Sequence, residues 1–267
     1  MIRAEGAGYS AGRVRLLAEV SLHLRPGTLT AVLGRNGAGK TTLLRLLTGE
    51  LAPESGRVMW GDAPIASLST VALARRRAVL SQQHALSFGL AVADVVALGR
   101  LPHRGTAAAA EDRAALATVR EDFMLEALWE RPYPTLSGGE RQRAQLARAA
   151  AQLWRPGGRQ GGAGPGSDRQ GQALFLDEPA AALDLAQQGA ALRFAADMAR
   201  QGAAVLAVLH DPNHAVRADQ VVLLRGGRVL AAGSPAEVLT AAQLGDCLGV
   251  TLHALSGPGG QTVFLAA

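Results

Sequence analysis

Residues 34–41 read Gly-Arg-Asn-Gly-Ala-Gly-Lys-Thr and follow the apolar run LTAVL at 29–33. The octapeptide fits G-x-x-x-x-G-K-[ST], a pattern that works only between a strand and a helix. Glycines let successive backbone N–H groups turn inward around an anion, and the helix N-terminus adds the positive end of its dipole. The flanks agree: LTAVLG (29–34) predicts a buried strand. GKTTLLRLLTGEL (39–51) predicts a helix, with Leu43, Leu44, Leu46 and Leu47 at helical spacing. ALFLDEP (173–179) and AAVLAVLHD (203–211) are two more short apolar runs that end in acids or a histidine. Strands alternating with helical stretches predict an α/β chain with a mainly parallel sheet, functional groups gathering at the carboxyl ends of its strands.

A chain of 267 residues, 48% hydrophobic and 18% charged, suits one domain over 1–267 with subdomains. Between about 84 and 150 the pattern turns helical, which predicts an inserted helical subdomain. RPGGRQGGAGPGSDRQGQ (155–172) predicts a mobile surface loop. VVLLRGGRVLAAG predicts a hairpin turned at Gly226–Gly227. SPAEVL predicts a helix with Ser234 as N-cap, Pro235 at its first position and Glu237 closing a capping box. The tail predicts a final strand pair. The lone Cys247 excludes an internal disulfide and a cysteine-based zinc site. MIRAEGAGYSAGR has no apolar core of a leader, and no stretch of 18 apolar residues spans a bilayer. Any service to a membrane is therefore expected to run through a partner. The net charge of +5 is spread through helices such as ERQRAQLAR and does not by itself point to nucleic acid.

Within the glycine loop, residues Gly34, Arg35, Asn36, Gly37, Ala38, Gly39 and Thr42 form the cradle. Lys40 reaches the β- and γ-phosphates of a nucleoside triphosphate, and the Thr41 hydroxyl can ligate Mg²⁺. In ALFLDEP a buried strand ends in Asp177, a second carboxylate for the metal, and Glu178 is then placed to polarise a water. Alone, Asp-Glu after a strand is commonly structural; beside a phosphate loop it reads as catalytic. LSGGERQRAQLARA (136–149) opens a helical run on Ser137, Gly138, Gly139 and Glu140, where a capping hydroxyl and two glycines again suit an anion. One chain thus carries two phosphate-binding devices.

With these elements in order the sequence resembles the ATP-binding cassette (ABC) ATPases over nearly its whole length. The loop at 34–41 corresponds to Walker A, Gln82 to the glutamine loop, 136–140 to the signature, 173–178 to Walker B, Asp184 to the D-loop and His210 to the switch histidine. The resemblance implies a P-loop NTPase (RecA-like) core, an N-terminal antiparallel β subdomain and the helical insertion. It implies ATP with Mg²⁺ held by Thr41, Gln82 and Asp177, catalysis by Glu178 with His210 and Gln82, and Tyr9 stacked on adenine. It also implies a head-to-tail dimer with a second copy, each ATP lying between one Walker A loop and the partner's signature. Further implied partners are two transmembrane permease subunits and, through them, a periplasmic substrate-binding protein, with the cassette on the cytoplasmic face of a bacterial inner membrane. Three positions depart from the family pattern: Glu140 where Gln is commoner, Ala-Ala before Ala-Leu-Asp at the D-loop, and Pro212 after His-Asp. None removes a phosphate or metal contact.

SFGLAVADVVALGRLPHRG (87–105) and VLHDPNHAVRADQVVLLRGGRVLAAGSPAEVLT are similar to the iron-siderophore, haem and cobalamin branch of the importers. QLARAAAQLW followed by a Gly-rich segment resembles the haem importers, so haem is the expected cargo, with a ferric siderophore or cobalamin as the alternative. A soluble ABC ATPase acting on nucleic acid is the alternative of another class. Such machines often carry two cassettes or a long coiled coil, and this sequence has neither. His84, His103, His210, His214 and His253 show no further i, i+4 ligand pair beyond His210–His214, so no haem site is assigned to this chain.

Overall fold

The computed structural model describes residues 1–81, 89–155, 169–180, 183–257 and 262–267. The chain opens with β1 (Ile2–Ala11) and β2 (Val14–Leu24), passes through β3 (Leu29–Leu33) and α1 (Lys40–Leu47), and returns in β4 (Ser55–Trp60) and β5 (Ala63–Pro64). Strands β2, β1, β4 and β5 form, in that order, the antiparallel sheet expected at the N-terminus. Helix α2 (Thr70–Ala74) leads into β6 (Arg77–Leu80), and α3 (Val92–Ala97), α4 (Asp112–Asp122) and α5 (Gly138–Gln152) build the helical region. The chain then runs β7 (Ala173–Asp177), α6 (Leu185–Arg200), β8 (Ala204–Val208), α7 (Pro212–Ala215), β9 (Gln220–Arg225) and β10 (Arg228–Gly233). It ends in α8 (Pro235–Val238), α9 (Ala241–Leu248), β11 (Leu252–Ser256) and β12 (Thr262–Ala266).

The central sheet has the order β10-β9-β3-β8-β7-β6, parallel from β9 to β6, with β10 joining as an antiparallel edge. Every residue of β3, β7 and β8 is buried, as expected for parallel strands covered on both faces. Side chains alternate across a strand, and two cores result. Leu29, Ala31 and Leu33 of β3, Leu174 and Leu176 of β7, and Val205 and Ala207 of β8 join the core that includes α5 and α6. Val32, Phe175, Leu206 and Val208 face the other way, toward Leu43, Leu44, Leu46 and Leu47 of α1 and the N-terminal sheet. Asp177 continues the parity of Ala173 and Phe175, so the strand itself aims this carboxylate at the α1 side.

Strand β6 was not expected from sequence; it is short and opens on Arg77, whose buried guanidinium donates through Nε to the Thr48 carbonyl at 2.6 Å. In the helical region Val92, Val95, Val119, Phe123, Tyr133 and Leu146 supply the core. Buried Arg100 ties it together, pairing with Asp112 at 2.7 Å and donating to the carbonyls of Ala108 and Ala151. The segment 155–172 differs from a mobile loop at its C-terminal end. Arg169 is buried and donates to Gln201 Oε1 and the Leu153 carbonyl; burial pulls its pKa down to about 10. Residues 156–168 lie outside the described residues. The hairpin turns at Gly226–Gly227, both at positive φ, as expected. Ser234 occupies the N-cap of α8, where Glu237 Oε2 accepts from its N–H and its hydroxyl, both at 2.8 Å, although the hydroxyl caps no backbone N–H; β11–β12 form the final pair. Among the described residues no helix is long and apolar enough to cross a membrane.

Candidate active site

The glycine loop leaves β3 and enters α1 under tight steric control. A Cβ on Gly34 would clash with the Leu224 carbonyl oxygen of the neighbouring strand, so the loop base admits only glycine. Gly39, at the N-cap of α1, has φ 99°, a left-handed backbone that glycine adopts without penalty. Helix α1 therefore starts at Lys40 with its first N–H groups open toward a cavity of about 390 Å³ lined by Asn36, Gly37, Gly39, Lys40, Thr41, Thr42, Glu178 and His210. Arg35 is exposed and Ala38 buried at the back of the loop. The loop is thus an anion cradle with a lysine at its lip. Lys40 Nζ folds back to donate to the carbonyls of Gly34 at 2.7 Å and Arg35 at 3.1 Å. Burial lowers its pKa, opposed by the nearby Glu178 and Asp177 carboxylates.

Thr41 Oγ1 donates to Asp177 Oδ2 at 2.9 Å, joining the start of α1 to the end of β7. Asp177 is 3% exposed, and its other oxygen, Oδ1, has no hydrogen-bond partner among the described residues. Burial raises the Asp177 pKa against the pull of the Thr41 hydrogen bond. A buried, unsatisfied carboxylate oxygen beside a hydroxyl is a hard-oxygen pair suited to a divalent cation.

Glu178 follows with φ 54°, a left-handed conformation in a non-glycine residue, and its N–H donates to the Val208 carbonyl at 3.2 Å. That backbone turns its carboxylate toward the mouth of the cavity. There Oε1 meets His210 Nε2 at 2.5 Å, the histidine coming from the end of neighbouring β8. Four residues from three segments converge on the cavity: Lys40, Thr41, Glu178 and His210.

Ser137 lies elsewhere on the chain's surface. Its hydroxyl accepts from the Glu140 N–H at 3.3 Å, and Glu140 Oε2 accepts from the Ser137 N–H at 2.7 Å, a reciprocal cap on α5. That backbone hydrogen bond, followed by the Ser137 hydroxyl, holds the Glu140 carboxyl below its usual range. Ser137 and Gly138 are exposed and line no part of the cavity, so a single chain does not bring its two anion-binding devices together. Gly139 faces Gln187 of α6, and a Cβ there would meet that side chain. Asp184 caps α6, its Oδ1 accepting from the Gln187 N–H at 2.8 Å. Tyr9 sits half-buried on β1 and is not among the cavity-lining residues. Gln82, Ala181 and Ala182 lie outside the described residues.

Sequence patterns did not single out Leu16 or Gln142. Leu16, on β2, lines the cavity beside the glycine loop. Gln142 Nε2 donates to the Pro179 carbonyl at 3.0 Å, linking α5 to the residue that follows Glu178. Both contacts are long-range in sequence, and no local spacing announces them.

The ABC transporter family profile matches residues 17–153. The hemin import ATP-binding protein HmuV of Deinococcus radiodurans is 46% identical over 240 residues, covering 90% of this chain and 86% of that protein. The protein of the same name from Jannaschia sp. is 41% identical over 266 residues, covering 99% and 93%. Among solved structures, an ABC transporter of metal-chelate type in an inward-facing conformation superposes with a TM-score of 0.79 at 26% identity, covering 100% of this chain and 96% of that one. A dimeric ATP-binding cassette bound to ADP and Pi superposes with a TM-score of 0.71 at 22% identity, over 88% and 99%, and supports the fold alone.

Proposed function

The chain belongs to the ABC transporter ATPase family, and we propose that it is the ATP-hydrolysing subunit of an importer whose cargo is haem. The observation that carries the hydrolytic reading is the convergence of Thr41, Asp177, Glu178 and His210 around the phosphate cradle. The cargo rests on the relatives named for hemin import at 41–46% identity over most of their length.

Triphosphate enters the cradle and draws the Lys40 ammonium off the loop carbonyls onto its oxygens. Mg²⁺, when bound by the Thr41 hydroxyl and the free Asp177 oxygen, would neutralise phosphate charge. Glu178 orients a water in line with the γ-phosphorus and accepts its proton as the new P–O bond forms and the bond to the ADP oxygen breaks. His210, paired with Glu178, holds that carboxylate and reaches the γ-phosphate. Tyr9 flanks adenine, and Gln82 and Asp184 communicate with metal and partner.

Exposed Ser137 and Gly138 supply the second phosphate contact across a head-to-tail dimer, which ATP closes and hydrolysis reopens. Two permease subunits, fed by a periplasmic binding protein, ride on that motion at the cytoplasmic face of the membrane. A deletion strain given haem as sole iron source tests this reading. Growth restored by wild type and not by Glu178→Gln supports it. Unimpaired growth without the gene, in a strain lacking other haem uptake, overturns the cargo and turns attention to ferric siderophores. Turnover stimulated by DNA or RNA would favour the nucleic-acid class instead.

A further inference from the structure

Asn213 lies three positions after His210, and its side chain alone makes the two hydrogen bonds that a neighbouring strand would make. Nδ2 donates to the Phe264 carbonyl at 3.0 Å, and Oδ1 accepts from the Phe264 N–H at 2.8 Å. Both bonds are satisfied in one orientation of the amide only, because a flipped group would set donor against donor. The Asn213 N–H is itself held, donating to Asp211 Oδ1 at 2.8 Å. Phe264 is on β12 and is 3% exposed, set in the core that includes Leu209 and Ala215 on either side of the histidine.

The segment so clamped has little rigidity of its own. Helix α7 is a single turn, opened by Pro212, which offers no N–H. Strand β8 ends at Val208, so Leu209, His210 and Asp211 bridge from the sheet to that turn. Among the described residues the β11–β12 pair hydrogen-bonds to neither larger sheet. A lone two-stranded hairpin is marginally stable and needs a dock. It finds one against α7 and α9. His210 is therefore fixed from two sides: by β8 before it, and by a C-terminal hairpin grasped through Asn213 after it.

We propose that Asn213 is a positioning residue for hydrolysis, holding the switch loop so that His210 meets Glu178, and that the C-terminal hairpin is thereby part of the active-site framework although it lines no part of the cavity. The inference rests on the hydrolytic reading above. A merely structural clamp would lower the melting temperature of the protein and leave its chemistry alone. A positioning clamp acts through His210, and its effect vanishes when the imidazole is gone.

The test is a double-mutant cycle in the full chain. Asn213→Ala and Asn213→Asp, the latter keeping size and one acceptor, are each made with His210 present and with His210→Ala. Single-turnover hydrolysis with enzyme in excess reads the slow variants; steady-state kcat and KM, nucleotide affinity and melting temperature are measured alongside. With His210 present both substitutions should lower kcat about tenfold, less than the roughly 10²-fold that a 1 Å misplacement can cause. KM and nucleotide affinity should stay within about twofold. In the His210→Ala background the further loss should be within about twofold, the ordinary scatter of additivity. Loss of equal size in both backgrounds, or a kcat within about twofold of wild type in whichever variant folds, overturns the proposal. A folded wild type that binds ATP without hydrolysing it would instead overturn the hydrolytic reading, and the proposal with it.

Discussion

His210 Nε2 lies 2.5 Å from Glu178 Oε1, across the carboxyl ends of the paired strands β8 and β7. The two residues form one unit at the mouth of the cavity, and in the proposed mechanism the carboxylate takes the proton and the imidazole holds it in place. Glu178→Gln keeps the shape and hydrogen-bonding reach of the side chain and removes the base. Phosphate release should fall by roughly 10²–10⁴, the usual worth of a positioned general base. ATP binding should persist, and size-exclusion chromatography in ATP should show a stable dimer. A monomer under saturating ATP, with nucleotide bound, would count against the two-site arrangement.

Lys40→Ala removes an ammonium that donates to the carbonyls of Gly34 and Arg35 and lies within reach of a bound phosphate. A charge-assisted hydrogen bond is worth about 1.5–3 kcal/mol, so triphosphate affinity should weaken roughly 10- to 100-fold at about 1.4 kcal/mol per tenfold. Titration with a fluorescent ATP analogue reads this directly. Unchanged affinity would place the phosphates elsewhere.

Asp177 gives a pH signature. Burial raises its pKa in the fold above the ordinary 3.8, so the folded state favours the protonated carboxyl. Its contribution to stability is fullest below 3.8 and is lost as pH rises through the raised value. Glu140 and Glu237, whose pKa values are lowered, have the opposite sign and lose their contribution as pH falls. The difference between wild type and Asp177→Asn cancels those background carboxylates. In nucleotide-free protein the variant should gain on wild type as pH rises from 3.8 toward neutrality, followed by melting temperature against pH. At neutral pH, Mg²⁺ with ATP should stabilise wild type and not the variant.

Gly34 and Gly139 should fail in different ways when changed to alanine. At Gly34 the new methyl meets the Leu224 backbone, which cannot step aside, so stability should drop by about 1–3 kcal/mol, the usual range for overpacking. At Gly139 it meets only the flexible end of Gln187, and the stability change should stay within about 1 kcal/mol. Hydrolysis should nevertheless fall, by an amount on the order of the 10² that a 1 Å misplacement costs, because the added methyl crowds the approach of the partner's phosphate to a backbone N–H that is itself retained. Denaturant melts and turnover measured on both variants separate the two cases.

What was legible in the sequence was local. The glycine loop, the strand ending in Asp177 and Glu178, the Ser137 cap and the Gly226–Gly227 hairpin are each written in a few consecutive residues, and the structure contains each. The fold class followed from strand and helix alternation. Strand β6 escaped because it has four residues and opens on arginine, whose burial depends on the distant Thr48 carbonyl. Arg169 looked like part of a polar loop because its partners, Leu153 and Gln201, are close only in space. Leu16, Gln142 and Asn213 were missed for the same reason: each acts on the site through a contact that no spacing encodes.

The left-handed backbone of Glu178 has a further consequence. A non-glycine residue held there costs roughly 1–2 kcal/mol. Glycine or asparagine would sit at position 178 with less strain, and neither could take a proton from water. The fold thus has neighbours in sequence space that are sturdier than itself and chemically inert, and thermodynamic improvement alone would carry it toward them. Glutamate stays at 178 only while organisms are tested for what the protein turns over.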